Sequence, residues 1–376
     1  MITFLMFNKN IYNISMKVFF AFNHPAPYKV RTFNELNKYF DIFVIFERTK
    51  AKNRPLSFYN CNQYDFPHMF LKRGSFGDEQ SNTGELKKYL KHHHQEYDLI
   101  VMNGYSTISE MRAIRYLIKK KIPYVLQING GIPHKNNAIK RRLKNYFISH
   151  AYKYLSPGDI ADEYLLTYGA KKEDILHYPY TTLEQKDNLT NLIKDKEPIR
   201  KKYNLPSSPL FIAASQFIER KNNVYLIHLF KNVNANLLLI GDGKEKDLYK
   251  EIIEKEKINN VFVRDFVPKE TLYEILQGAD YFITLSKEDI YGHSTLEALA
   301  NGLPVISSDR VISSRQIIKN NENGFLVSIE KEEEILSAIN NIGKIDLNKC
   351  LASAKEYTIE NSAKTIADKL KGLIKQ

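Results

Sequence analysis

Residues 285–306 read LSKEDIYGHSTLEALANGLPVI, a loop followed by an apolar run and then by Asn-Gly, a proline and a strand-like Val305-Ile306. Gly292 lies in the loop and would let backbone approach a ligand closely. The apolar run predicts a helix, whose N-terminus favours an anion. The carboxylates of Asp289 and Glu297 flank this loop and can accept hydrogen bonds from sugar hydroxyls. The combination suits a sugar diphosphate.

Short apolar runs alternate with amphipathic segments along most of the chain. Runs that are apolar on consecutive positions are typical of strands buried on both faces, and their alternation with helices implies right-handed βαβ units. We predict strands at residues 18–22, 43–46, 99–102, 124–128, 211–214, 237–240, 261–263, 281–285 and 305–307. Amphipathic segments include residues 107–120, 138–153, 244–257 and 295–301. The fold class is therefore α/β, with doubly wound parallel sheets.

The alternation breaks between residues 180 and 209, a polar stretch that contains Pro198 and Pro206. A chain of 376 residues suggests about two domains of roughly 100–200 residues each. We place one domain at residues 16–183, a second at 184–355, and at 356–376 a C-terminal helix that could cross back to the first. Residues 1–15 are taken as an upstream extension, because the sequence from Met16 reads like a start that runs into a strand.

The formal net charge of +12 and the pI of about 9.2 favour anionic partners such as nucleotides, phospholipid surfaces or nucleic acid, although a generally basic proteome would give the same balance. No apolar run approaches the roughly 18 residues that a membrane span needs. Cys61 and Cys350 lie far apart, which gives neither a disulfide framework nor a metal-ligand spacing. These features fit a cytoplasmic protein.

Two further loops follow predicted strands of the second domain. Arg220 and Lys221 come shortly after the strand at 211–214, where two cations could clamp a pyrophosphate, although an exposed basic turn has the same sequence. The strand at 237–240 ends in a Gly-Asp-Gly turn at Gly241, which would let a nucleotide base approach the backbone.

Taken together, these segments resemble the donor-binding region of glycosyltransferase family four. Residues 297–306 match its E-A-x-A-x-G-x-P-V-I pattern, and residues 323–327 match its N-G-x-L-V ending. Lys221 falls on the lysine of the family's phosphate motif, whereas Gln216 replaces the arginine. Asp289 stands where the family usually has the first Glu of E-x7-E, and Gly292-His293-Ser294 replaces Gly-Phe-Gly.

The resemblance implies a GT-B fold, in which two Rossmann-like domains face an interdomain cleft. It implies that Lys221 holds the pyrophosphate, that Asp289 contacts the donor sugar and that Glu297 binds ribose; these are the predicted catalytic residues. The predicted donor-binding residues are Gln216, Arg220, Gly241, Phe266, Val267, Glu288, Tyr291, Gly292, His293, Ser294 and Thr295.

A structural alternative exists for Glu297. Ser294 and Glu297 have the spacing of a capping box, with serine at the N-cap and glutamate at N3. Glu297 would then satisfy the N-cap amide, while Ser294 caps the helix. One carboxylate oxygen for each role is also feasible, and the family resemblance on both sides favours ribose binding.

The amino-terminal half is less marked, and the resemblance assigns it to the acceptor. Loops after three of its strands supply the acceptor-side candidates, none of which is an assured general base: His24, Tyr28, Asn103, Tyr105, Asn129 and Gly130. The segment around Lys140-Arg141-Arg142 mixes cations with apolar residues, which suits docking on a membrane surface or an ordinary solvated helix.

The implied activity is transfer of a sugar, with retention, from a nucleotide diphosphate-sugar, taken as UDP-linked, to the hydroxyl of a glycan, lipid-linked or protein acceptor. Cations and a helix terminus would supply the charge, so no metal or cofactor is expected, and no Asp-x-Asp motif occurs. The implied setting is bacterial surface polysaccharide or glycoconjugate assembly, in the cytoplasm or at the inner face of the membrane.

Three other functional classes share some of these sequence features. A catalytically inactive GT-B scaffold is suggested by Gln216, Asp289 and the altered glycine loop. A dinucleotide oxidoreductase is disfavoured because the first βα turn, residues 23–28, contains no glycine. Nucleic-acid binding is suggested by charge alone, and we expect no nucleic acid partner.

Overall fold

Two separate parallel sheets organise the chain, in a computed structural model that describes residues 16–51, 59, 63–71, 84–133, 137–289 and 291–373. One unit contains the described residues up to Tyr178 and those from Ile359 onward, and the other contains Pro179–Thr358. The boundaries predicted from sequence were residues 183 and 355. Residues 1–15 and Cys61 lie outside the described residues.

The first unit is built on a seven-stranded parallel sheet in the order β3-β2-β1-β4-β5-β6-β7. Its central strands are long apolar runs, and every residue of β4 is buried. The strands are β1 (Lys17–Phe22), β2 (Asp41–Phe46), β3 (His68–Phe70), β4 (Leu99–Asn103), β5 (Val125–Gln127), β6 (Lys153–Ser156) and β7 (Ile175–His177).

Helices of the first unit connect these strands and cover the sheet. They are α1 (Pro27–Leu36), α2 (Glu85–His93), α3 (Ile108–Lys120), α4 (Ala138–Ile148), α5 (Asp159–Thr167) and, from the end of the chain, α14 (Ile359–Lys371). Helix α14 packs against α1. A capping box fixes the start of α3, because the Thr107 side chain accepts from the Glu110 amide and the Glu110 side chain accepts from the Thr107 amide.

The second unit is built on a six-stranded parallel sheet in the order β10-β9-β8-β11-β12-β13. The strands are β8 (Leu210–Ala214), β9 (Asn236–Ile240), β10 (Val261–Arg264), β11 (Tyr281–Thr284), β12 (Val305–Ser308) and β13 (Gly324–Val327). The helices are α6 (Glu197–Tyr203), α7 (Asn223–Phe230), α8 (Lys246–Lys255), α9 (Lys269–Gly278), α10 (His293–Ala300), α11 (Ile312–Ile317), α12 (Glu332–Asn341) and α13 (Leu347–Ala354).

The strand order reverses at one point in each sheet, between β1 and β4 in the first and between β8 and β11 in the second. In open α/β sheets, ligands bind outside the carboxyl ends of the strands at such a point. The loops that follow Phe22 and Asn103, and those that follow Ala214 and Thr284, therefore occupy the positions where a ligand is expected.

The α/β class and the parallel sheets are as predicted, and each predicted strand overlaps an observed one. Three strands of the first unit had no prediction: β3 and β7 are only three residues long, and β6 has only its first residue, Lys153, in a predicted segment, the amphipathic one at 138–153. The amphipathic segment predicted at 138–153 is wrong in its last part: α4 ends at Ile148, and Lys153 begins β6. Among the described residues, none of the helices has the length and apolarity that crossing a bilayer would require.

Gly324 shows how closely β12 and β13 pair. A Cβ atom placed there would collide with the backbone oxygen of Val305, which lies opposite it in the ladder. We expect Gly324→Ala to lower the free energy of unfolding by about 2–3 kcal/mol, because the backbone of a packed strand has to shift. Urea denaturation measures this effect. Gly84→Ala is the control, since a Cβ there meets nothing within 4 Å, and an equal loss in both variants would contradict the explanation.

Candidate active site

The loops that follow β8 and β11 are joined by an ion pair. The ammonium of Lys221 contacts the Asp289 carboxylate, and the side chains are only 10% and 13% exposed. Arg220 adds a second cation: its guanidinium donates to the Glu288 carbonyl at 3.2 Å and lies 3.6 Å from Asp289 Oδ1. The sequence-predicted residues Arg220, Lys221, Glu288 and Asp289 therefore come together at the point where the strand order reverses.

Backbone hydrogen bonds hold the two loops in this arrangement. The Lys287 amide donates to the Arg220 carbonyl at 2.8 Å, which ties the loop after β11 to the loop after β8. The Asp289 amide donates to the Arg310 carbonyl at 3.2 Å, and Asp289 forms a β-bridge with Val311. The carboxylate position is thus fixed from both sides.

Helix α10 opens beside this ion pair. Its N-cap is Gly292, whose φ of +85° lies in the left-handed region, and a Cβ there would collide with the Val311 side chain. The same Cβ would be 3.6 Å from Asp289 Oδ2, so the carboxylate that binds Lys221 lies next to the helix opening. The amides of His293 and Ser294 are among the first four of the helix, which have no intrahelical acceptor. A cation and helix amides together can bind an anion here.

The capping-box interpretation of Ser294 and Glu297 is wrong. Helix α10 begins at His293, two residues earlier than that pattern requires, and no side chain caps it. At this point the chain direction is set by the backbone conformation of Gly292, which has a positive φ, and not by a hydrogen bond from a capping side chain.

Glu297 is instead held by residues outside its own motif. The Thr182 hydroxyl donates to Glu297 Oε1 at 3.1 Å. Burial raises the pKa of Glu297, and the Thr182 hydrogen bond and the Lys269 ammonium partly oppose that rise. Lys269 also pairs with Asp187 and lies 3.8 Å from Glu184 Oε2, so one cation offsets several carboxylates. Neither Thr182 nor Lys269 had been identified from sequence, where nothing links them to Glu297.

The Gly-Asp-Gly turn after β9 packs directly on the loop that leads to Lys221. A Cβ at Gly241 would collide with the Ser215 carbonyl, and one at Gly243 with the Phe217 carbonyl. The Phe217 amide donates to the Asp242 carbonyl at 2.8 Å. Gly241 therefore supports the backbone next to Gln216, a close approach that only glycine permits.

Other predicted donor residues have mixed environments. Tyr291 and His293 form an aromatic group with Tyr180, with ring centroids 4.7–4.9 Å apart. The Thr295 hydroxyl is 2.7 Å from that of Ser314 and is buried, so its side chain belongs to a hydroxyl chain inside the unit. Ser294 and Val267 are partly buried, while Phe266 is 66% exposed and presents a free aromatic face.

In the first unit, an ammonium joins two of the predicted acceptor-side loops. Lys29 Nζ donates to Asn129 Oδ1 at 2.8 Å, and Asn129 Nδ2 donates to Asn103 Oδ1 at 3.2 Å. Tyr28 lies beside it, with its ring centroid 5.3 Å from the ammonium. Lys29 had not been identified, although its spacing to Phe33 and Leu36 places it on the buried face of α1.

The remaining acceptor-side candidates lie in separate contacts. The Tyr59 hydroxyl is 3.2 Å from His24 Nδ1. The Tyr105 hydroxyl is 2.6 Å from that of Tyr164, and burial raises the pKa of Tyr105. Gly130, at φ +141°, follows Asn129 directly.

A buried acid pair underlies the Asn103 loop and was also missed. The Thr107 hydroxyl donates to Glu47 Oε1 at 2.8 Å, while Glu110 accepts from the Thr107 amide. Among the described residues, Glu47 Oε2 and Glu110 Oε1 are buried and have no hydrogen-bond partner. Burial, with Glu110 nearby, raises the pKa of Glu47 to about 8, against opposing effects of Thr107 and Arg48. The T-x-x-E spacing at 107–110 is the signal that was available.

One cluster of described side chains has the composition of a metal site. Ligand atoms of Asp159, Asp162 and His177 lie within 4.8 Å of one another. His177 Nε2 and Asp162 Oδ2 are 2.5 Å apart, and the Ser156 hydroxyl donates to Asp162 as well. These contacts already connect Asp162 to His177 and to Ser156 near the start of α5.

Residues 195–364 match the family model of glycosyl transferases group 1. The match contains Lys221, Asp289 and Glu297, together with the whole six-stranded sheet.

Similar proteins extend this likeness. An uncharacterized glycosyltransferase of Methanocaldococcus jannaschii is 28% identical over 204 residues, which are 49% of this chain and 49% of that protein. The poly(glycerol-phosphate) alpha-glucosyltransferase of Bacillus subtilis is 28% identical over 143 residues, 36% of this chain and 21% of that protein. The chain thus spans less than half the length of these curated relatives.

A crystal structure of Anabaena HepE in complex with UDP has a TM-score of 0.75 to this chain, at 16% identity, and covers 95% of this chain and 100% of its own. The likeness extends across both units. It confirms the predicted fold, with two Rossmann-like parallel-sheet domains of the GT-B type.

The raised pKa of Glu47 predicts how the free energy of unfolding depends on pH. Because the folded state holds a proton on Glu47 that the unfolded chain releases, stability falls as pH rises from about 4.5 to about 8 and then levels. Glu47→Gln keeps an oxygen for the Thr107 hydroxyl and removes this dependence. We expect the variant to gain stability relative to the wild type across that window, measured by urea denaturation at several pH values. Glu163→Gln, an exposed control on α5, should run parallel to the wild type; a parallel Glu47→Gln curve would refute the assignment.

Proposed function

We propose that the protein transfers a sugar, with retention, from a nucleotide diphosphate-sugar to an acceptor hydroxyl. The observation that carries this proposal is the Lys221–Asp289 ion pair beside the uncapped start of α10. Glycosyl transfer needs a site that stabilises a departing diphosphate, and a cation with convergent helix amides is such a site.

The Asp289 carboxylate is the anion that Lys221 and Arg220 contact in the structure. A donor diphosphate would contact Lys221 and Arg220, and the amides at His293 and Ser294 would bind its oxygens. Asp289 would then turn to the hydroxyls of the donor sugar, while Glu297 accepts hydrogen bonds from ribose. Phe266, with its exposed ring, is available for the base. These cations and amides supply the charge that a divalent metal would otherwise provide, so the reaction is proposed to be metal-independent.

Retention follows from attack on the same face of the sugar that the diphosphate leaves. The acceptor hydroxyl forms the new bond to the anomeric carbon as the bond to the diphosphate oxygen breaks, and that oxygen takes the hydroxyl proton. Retaining glycosidases use a carboxylate nucleophile instead. None of the acceptor-side candidates is a carboxylate, which favours the direct route.

Similar proteins support a choice of donor and of acceptor class. UDP in the HepE structure favours a UDP-sugar, and the Bacillus subtilis relative acts on poly(glycerol-phosphate), which favours a surface polymer or glycoconjugate acceptor. The protein would work at the cytoplasmic side of the membrane.

Lys221→Met tests the donor site. We expect at least about tenfold weaker UDP binding by calorimetry, because a charge-assisted contact is lost. Hydrolysis or transfer of UDP-glucose should fall roughly 100-fold or more, because that contact strengthens as the diphosphate leaves. Lys287→Met is the matched control, since Lys287 lies on the neighbouring loop after β11, is exposed and pairs with Glu219.

The outcomes separate transferase from scaffold. Equal losses in Lys221→Met and Lys287→Met would argue against the donor site. Nucleotide binding without any turnover, in the wild type and in Glu297→Gln alike, would favour a catalytically inactive GT-B scaffold.

Helix α4 supports a membrane surface as a further partner. Ile139 is 79% and Leu143 46% exposed, and Lys140, Arg141 and Arg142 between them are exposed cations. Exposed apolar side chains flanked by cations suit the interface of an anionic bilayer.

Sedimentation with vesicles tests this surface. We expect the wild type to bind phosphatidylglycerol vesicles better than phosphatidylcholine vesicles, and the double variant Ile139→Ser, Leu143→Ser to bind several-fold more weakly because less apolar surface enters the bilayer. Leu248→Ser, an exposed leucine on α8, is the control. Unchanged binding by the double variant would place the contact elsewhere.

A further inference from the structure

Glu297 is contacted by a segment that precedes the second sheet in the chain, residues 182–187. The Thr182 hydroxyl donates to Glu297 Oε1 at 3.1 Å. Just beyond the segment, the Leu189 amide donates to the Ala300 carbonyl at 3.0 Å, so the chain follows α10 to its last residue. The 182–187 segment therefore shapes the surroundings of the Glu297 carboxylate from outside its own helix.

Lys269, the first residue of α9, fastens this segment. Its ammonium contacts the Asp187 carboxylate and lies 3.8 Å from Glu184 Oε2. It also donates to the Thr182 carbonyl at 3.5 Å. The Glu184 amide donates to Asp187 Oδ2 at 2.6 Å, which closes the segment on itself around the ion pair. Lys269 therefore contacts the same residue, Thr182, whose hydroxyl donates to Glu297.

The groups around Glu297 act on its charge in opposite directions. Burial raises the pKa of Glu297 and Asp187 raises it further, whereas the Lys269 ammonium and the hydroxyls of Thr182 and Tyr273 lower it. The side chains of Lys269 and Asp187 are 23% and 9% exposed, so solvent screens their charges only in part. A carboxylate accepts more hydrogen bonds than a protonated carboxyl group. This balance therefore determines how well Glu297 can accept from hydroxyls.

The other elements that pack against α10 contribute no buried charge. They are α11, α13, β11 and β12. Their charged side chains, Arg315 on α11 and Lys349 on α13, are exposed, where solvent and salt screen them. Lys269 and Asp187 are thus the opposing charges that count at Glu297.

We infer that Lys269 is a positioning residue for the donor: it holds the 182–187 segment against Glu297 and keeps that carboxylate charged, so that it accepts hydrogen bonds from ribose. The inference rests on the proposed function, because it takes ribose to be the ligand of Glu297. It adds a regulation of that site, in which pH controls ribose recognition and Lys269 and Asp187 set the range.

Two nucleotides isolate the ribose contact. UDP and 2′,3′-dideoxyuridine 5′-diphosphate differ only in the two ribose hydroxyls, so the base, the diphosphate and its protons contribute equally to both. Calorimetry on the full chain gives the ratio of their affinities at several pH values on both sides of neutrality, which we call the ratio profile. We expect UDP to bind at least about tenfold more tightly where Glu297 is charged, since charge-assisted hydrogen bonds are gained. The ratio should fall towards low pH, and Glu297→Gln should remove this dependence.

Lys269→Met and Asp187→Asn should move the ratio profile in opposite directions. Loss of the ammonium favours the protonated form of Glu297, so the rise of the ratio moves to higher pH, and Lys269→Arg should move it back. Asp187→Asn removes a repelling charge but keeps an oxygen for Lys269 and for the Glu184 amide, so the rise moves to lower pH. A purely structural role would weaken both nucleotides alike and would give no such reversal.

Lys255→Met, an exposed lysine on α8, is the control and should leave the ratio profile unchanged. The inference is overturned if neither Lys269→Met nor Asp187→Asn moves the profile, if both move it in the same direction, or if Glu297→Gln retains it. If Lys269→Met does not fold, the direction of the shift in Asp187→Asn decides alone.

Failure of the inference is distinguishable from failure of the proposed function. A wild type that binds UDP more tightly than the dideoxy analogue, with the same ratio profile in both variants, contradicts the inference only. Equal affinity for the two nucleotides excludes the ribose contact of Glu297 and the inference with it, while the diphosphate site stands. A wild type that binds neither nucleotide contradicts the proposed function and the inference together.

Discussion

A buried ammonium needs a counter-charge, and the contact between Lys221 and Asp289 meets that need in the second unit. Removing either partner would leave a charge in a site that is about nine-tenths buried, so the pair constrains both loops at once. The loop after β8 cannot move without the loop after β11, and the backbone bond from Lys287 to Arg220 enforces the same coupling. The opening of α10 lies beside this contact.

Under the proposed function, the same constraint suits the pair to exchange with a diphosphate. A diphosphate carries more negative charge than one carboxylate, and it can contact Lys221, Arg220 and the helix amides together. Asp289 therefore keeps the cations ordered without matching the full set of contacts that a diphosphate would make. Preorganised cations lose less conformational entropy when the ligand arrives, which favours binding.

The sequence was most informative where chemistry and backbone geometry coincide in a short stretch. Asp289, Gly292 and the following apolar run lie within one loop and helix, so their proximity could be predicted. Lys221 came from the position of a cation after a buried strand. Thr182 and Lys29 could not be found this way, because each acts on residues about a hundred positions away, Glu297 and Asn129. The short strands β3 and β7 carry too few residues for periodicity to register.

The failed capping-box prediction bears on the proposed role of the first amides of α10. A serine at the N-cap would have accepted a hydrogen bond from one of the first amides of α10 through its hydroxyl. Glu297 would have accepted a hydrogen bond from the N-cap amide. Gly292 ends the loop by backbone conformation alone, with its carbonyl accepting from the Ser313 hydroxyl at 2.7 Å. Under the proposed function the first amides would face the diphosphate, while Glu297 accepts from the Thr182 hydroxyl. Glycine at this position fixes the direction of the chain by its backbone conformation, without a hydrogen bond from a side chain to the first amides of α10. Setting the chain direction and the proposed binding of an anion therefore do not compete for the same N–H donors.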